Sequence, residues 1–156
     1  MSLLGNQLSL MVHVFFGVLG FMMAVAIFVY VLHANDKNIA TIKKMSILVP
    51  LFTALSYLIG GWWYVVYYYH ERDIIKAGPW VWAHTFFMEF KEHIFFVLLM
   101  LSILLPIIVY KNDLIGDKSI RNLVLTVLAL IVLLGFTMDG AGAIISRGVI
   151  VGFMGR

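Results

Sequence analysis

The chain has 156 residues, 63% of them apolar and 12% charged, with a mean hydropathy of +1.01. That balance excludes an ordinary soluble domain, and the length allows one bundle of about four bilayer crossings at roughly 20 residues each. The net charge of +3 is scattered rather than gathered on a face, which removes nucleic acid as a partner; with no cysteine there are no disulfides, thiolate metal sites or iron–sulfur clusters.

In chain order, the first apolar stretch covers 8–32. It is too long for a signal-peptide core and lacks a basic leader, so it is read as a retained span. A polar loop from His33 to Lys44 follows. The second span, 45–69, is interrupted by Pro50, Ser56 and Gly60-Gly61, and ends in Trp62-Trp63-Tyr64 and Tyr67-Tyr68-Tyr69, rings suited to a membrane-interface belt. After His70-Glu71-Arg72-Asp73 and a Gly78-Pro79 break, a long third segment begins at Trp80. Its membrane part is placed at 86–110, with the preceding turns at the interface. The fourth span, 120–145, contains Asp139 and a Gly140-x-Gly142 patch expected to kink or end the helix. The predicted fold is therefore all-α, a single four-helix membrane domain over 1–156.

Two sides follow from this threading. Side A holds the N-terminus and the ends of spans two and four, with Arg72, Lys76, Arg147 and Arg156. Side B holds the other two loops, with Lys37, Lys43, Lys44, Lys111, Lys118 and Arg121. The positive-inside rule puts side B in the cytoplasm and both termini outside, in a prokaryotic-type cytoplasmic membrane.

Ionisable groups inside a bilayer cost several kcal/mol unless partnered, so each is a functional candidate. Counting from span midpoints at 1.5 Å per residue, His13 and Asp139 lie about 10 Å and His93 about 8 Å from the bilayer centre, all toward side A. His70 and His84 fall at the interface on the same side. Two imidazoles at one depth on different spans point to axial ligation of a b-type haem, with His13 and His93 as the pair. His70 and His84 are then reserve ligands or a second site, so the expected cofactor is one haem b, or two. Gly17, Gly20, Gly60 and Gly61 fall near the same depth and leave room for a flat ring, and Arg72, Lys76 and Lys91 are placed to meet propionates.

On the third helix Glu89, Glu92 and His93 share one broad face, within about 60° of Glu89 at 100° per residue, while His84 points away from His93. That face also suits a non-haem metal ion held by Glu89 and histidines. Glu89, Glu92 and Asp139 together suit a proton or ion pathway.

Two stretches carry a resemblance. Tyr67-Tyr68-Tyr69-His70, then Lys91-Glu92-His93-Ile94 and Leu105-Pro106, resemble the four-span proteins of the haem–copper oxidase assembly family. Histidines at matching depth in a four-helix bundle are also similar to small membrane b-type cytochromes. The first resemblance implies an accessory subunit handling haem or metal for a larger respiratory complex. The second implies a membrane oxidoreductase passing electrons between quinone and a redox partner, in contact with membrane lipid and, in either case, open to homo-oligomerisation.

Overall fold

A computed structural model describes residues 3–155, with side chains from Gly5 onward; Arg156, counted above for side A, lies outside the described residues. Hydrocarbon offers no partner for backbone groups, so apolar runs of this length close their own hydrogen bonds as helices. Among the described residues six helices form: α1 (Leu3–Leu32), α2 (Ile39–Val66), α3 (Tyr68–Ala77), α4 (Trp82–Thr85), α5 (Phe87–Lys111) and α6 (Lys118–Met154). Four stretches of the described residues are long and apolar enough to cross a membrane: Gly5–Leu32, Ile39–Val66, Trp82–Lys111 and Lys118–Met154. The four-helix membrane bundle read from the sequence is what the chain forms.

The boundaries differ in instructive places. The second span starts at Ile39, six residues earlier than expected, and breaks at Tyr67, where φ −121° and ψ −33° turn the chain into the separate helix α3. The fourth does not end at its glycines. Helix α6 runs unbroken for 37 residues, about 55 Å at 1.5 Å per residue, well beyond a hydrocarbon core of about 30 Å. Its N-terminus is fixed by Asp117, whose carboxylate accepts from the Ser119 and Ile120 amides at 2.8 and 3.2 Å.

The spans pack as a square. Helix α1 lies against α2 and α6, and α5 lies against the same two, while α1 and α5 sit on one diagonal and α2 and α6 on the other. Toward side B the square is filled by Ala24, Ile27, Val31, Ile42, Val49, Leu105, Val109, Val124 and Leu128, all buried. Helices α2 and α5 each continue through a proline, Pro50 and Pro106. Four residues before each stands a fully buried serine, and Ser46 and Ser102 both spend their hydroxyls on their own helix, at 2.7 Å from the Lys43 and Leu99 carbonyls. Both buried hydroxyls are therefore committed to their own helices.

Toward side A a second core gathers Trp63, Tyr68, Ile75, Ala83, Met88 and Ile145. Here the extended end of α6 meets α3 and α4. Close approach is made possible by glycine: a Cβ on Gly152 would stand 2.6 Å from the Ile74 carbonyl oxygen, and one on Gly148 would stand 2.8 Å from the Ala83 Cβ. Small residues at such crossings let backbones touch.

Candidate functional site

Between the two cores, where the diagonal of the square stays open, lies a cavity of about 280 Å³. Small residues create it. Gly17 and Gly20 of α1 face Ser56 and Thr53 of α2, and Gly135 and Gly142 supply the wall of α6. Four titratable groups line it, each from a different helix: His13 from α1, Glu71 from α3, Lys91 from α5 and Asp139 from α6. Met88, Phe95, Leu98 and Ile131 complete an apolar floor.

His13 is the most tightly held of the four. Its Nδ1–H donates to the Ser56 carbonyl at 2.7 Å, and the Ser56 hydroxyl donates back to the His13 carbonyl at 2.9 Å. The ring edge rests on Gly60, where any Cβ would overlap it. With Nδ1 occupied as a donor, the tautomer is fixed and Nε2 is an acceptor. Ser56, which sequence reasoning treated only as an interruption of span two, is thus the residue that orients the imidazole.

Lys91 reaches into the cavity with its Nζ over Gly142, 3.4 Å from where a Cβ would stand. The glycine patch of α6 is therefore a seat for an ammonium rather than a helix break. Among the described residues no ion pair within 4.0 Å involves Lys91; the single pair is Arg72–Asp73. Asp139 is the acid whose charge acts on Lys91 across the cavity.

Of the lining residues, Val14, Asp139, Ala143 and Ser146 are also exposed, and all four belong to α1 or α6. The mouth accordingly opens sideways between those two helices, toward the bilayer. Below it the seam is shut by Phe21 and Phe136, whose rings meet edge-on at 4.7 Å. Glu71 lines the side A end. Its burial pushes its carboxyl above the usual carboxylate range.

The remaining expected ligands are elsewhere. His93 is exposed on the outer face of α5, its Nδ1–H donating to the Glu89 carbonyl at 2.7 Å, and α5 is diagonal to α1. His13 and His93 share a depth but do not face one another. Glu89 and Glu92 are exposed on the same outer face. His70 is exposed and lies tilted by 36° against the Tyr69 ring, 3.9 Å between ring centres. His84 is hydrogen-bonded through Nδ1 to the hydroxyl of buried Tyr68 at 3.0 Å, not to His70. Burial also raises the pKa of Tyr68. Arg72 is held by Asp73 at 3.1 Å, and Gly61 faces open space. No three His, Asp or Glu side chains among the described residues converge as a metal site.

Glu71 and the hydroxyls of Ser56 and Thr53 are the site residues sequence reasoning missed. Their signal was weak: Glu71 is one turn beyond Tyr68 on an amphipathic helix, which places it beside a buried ring. No family model, no curated protein and no solved structure matches the chain.

Proposed function

We propose that this protein takes part in membrane electron transfer and that its cavity holds the head group of a bilayer-dissolved quinone or quinol. The observation that carries the reading is the sideways mouth between α1 and α6, which leads from lipid to a donor and two acceptors. Lys91 donates to a ring oxygen. His13 Nε2 and the Asp139 carboxylate accept from quinol hydroxyls. The cavity volume lies at the small end of ligand pockets, roughly 300 Å³ upward, which suits a head group whose apolar tail stays in lipid.

Oxidation of a quinol releases two protons and two electrons. In this reading His13 and Asp139 take the protons, and Lys91 stabilises the negative charge that develops on the ring oxygen as its proton departs. The two electrons leave one after the other, to two equivalents of a one-electron carrier. A through-going ion pathway draws no support, because the cavity ends on the apolar core toward side B.

The test uses Trp63, which lines the cavity and is anchored by its Nε1–H to Asn6 at 2.6 Å. A short-chain quinone added to the chain in lipid nanodiscs is expected to quench tryptophan emission saturably. Trp63→Phe should remove the saturable component, and Lys91→Met should weaken it about tenfold or more, the worth of one charge-assisted hydrogen bond. Quenching that rises linearly with quinone and is the same in all variants would refute the assignment.

A second reading keeps His13 as an axial ligand of haem b, and the Ser56 clamp favours it, since ligating imidazoles are oriented in this way through their second nitrogen. The cavity fits one such ligand and not two, because His93 is outside it. His13 would hold the haem and Lys91 would meet a propionate; bound there, haem supplies one-electron chemistry. A Soret band that appears on haem loading and is lost in His13→Ala decides for this reading, and no band in the wild type decides against it.

A further inference from the structure

We infer that Glu71 is the residue through which the cavity exchanges protons with side A. The inference rests on the reading of the cavity as a redox site, and it names the proton route that such a site needs.

The route follows from what closes each direction. Toward side B the cavity meets the apolar core, in which the buried serine hydroxyls are committed to their own helices. The mouth between α1 and α6 opens on lipid, which carries no protons. Of the four titratable lining groups, His13, Lys91 and Asp139 sit on the spans; Glu71 sits on α3, outside all four. It is half-buried, so one carboxyl group borders both the cavity and the side A surface.

The neighbours leave Glu71 free to cycle. On its own helix the adjacent Arg72 is engaged by Asp73, and Tyr68 is engaged by His84 of α4. Tyr64 of α2 stacks on Tyr68. From α6 Asp139 faces the same cavity, as do Lys91 of α5 and His13 of α1. No ion pair within 4.0 Å involves Glu71 among the described residues. Burial without a cationic partner favours the neutral acid, so this carboxyl holds its proton more readily than an exposed one does. In each cycle the ionised carboxylate accepts a proton from a cavity donor, becomes the neutral acid, and gives that proton to water at side A.

The test needs no quinone. The full chain in nanodiscs is subjected to a pH jump, and protonation of His13 is followed by infrared bands of labelled histidine, assigned by their loss in His13→Gln. Glu71→Gln should slow the approach to equilibrium by about a hundredfold, the scale of removing one positioned proton carrier, and Glu71→Asp should restore most of it. Equal rates in wild type and Glu71→Gln overturn the inference. In case Glu71→Gln folds poorly, the wild type alone gives a second reading: a carboxylic-acid band that titrates above the usual carboxylate range and is assigned to Glu71 supports the route. Titration of that residue within the ordinary range overturns it. Absence of saturable Trp63 quenching by quinone in the wild type counts against the quinone reading and leaves the proton result standing.

Discussion

Ser56 and His13 hold each other twice across the α1–α2 contact, once through the imidazole and once through the hydroxyl. The pair turns a packing contact into a bearing for a reactive ring. It also explains why glycine stands at position 60: the ring occupies the volume that any side chain there would need.

The first prediction concerns that volume. In Gly60→Ala the new methyl displaces the imidazole, and the Nδ1 bond to the Ser56 carbonyl is lost. That bond is worth about 1 kcal/mol, and cavity-ligand affinity should fall about fivefold. Helical content by circular dichroism should be unchanged. Full affinity in this variant would show that the ring orientation is unimportant.

Lys91 should behave as a residue kept at a cost. An ammonium inside the bundle without a direct ion pair opposes folding, so Lys91→Met should raise unfolding free energy by about 1–4 kcal/mol while weakening ligand binding. Thermal unfolding in detergent, set beside a binding titration, checks both signs. A variant that is both less stable and unaltered in binding would contradict the assignment of Lys91 to the ligand.

Two carboxylates should give opposite pH dependences. Burial raises the pKa of Glu71 in the folded chain, so the unfolded chain releases this proton first. Its contribution to stability is fully present below the unfolded pKa and is lost as pH rises through the folded value. Asp113 is fully exposed, and its pKa is lowered by the amides of Gly116 and Ile115. Its contribution is present above the unfolded pKa and is lost as pH falls through the folded value. Both neutral variants should therefore match wild type at low pH and separate from it as pH rises, with the unfolding midpoint of Glu71→Gln above that of wild type and the midpoint of Asp113→Asn below it.

The docking of α3 depends on bare backbone. Gly152→Ala places a methyl against the Ile74 carbonyl and side chain, and should destabilise the side A core by about 1–3 kcal/mol. Limited proteolysis should then cut between Val66 and Trp82 sooner than in wild type. An unchanged cleavage rate would mean that the contact is slack.

The spans were legible because apolar length is a direct requirement of the bilayer. His13 and Asp139, brought to one level by counting residues along their spans, line one cavity. Azimuth was not legible. Helix α5 is apolar nearly all round, so its sequence has no face that must point inward, and the shared face of Glu89, Glu92 and His93 is the outer one. Lys91, between them in sequence, is the group that points in. The glycines of α6 misled for a different reason. In water glycine loosens a helix, but among packed spans it makes room, here for Lys91 at Gly142 and for α3 and α4 at Gly152 and Gly148.

The sideways mouth has one more consequence. A ligand that enters between α1 and α6 is counted in molecules per lipid, not per volume of water. Occupancy should follow mole fraction in the membrane, so adding empty lipid at constant total ligand would strip the site, while diluting the same vesicles with buffer would leave it filled.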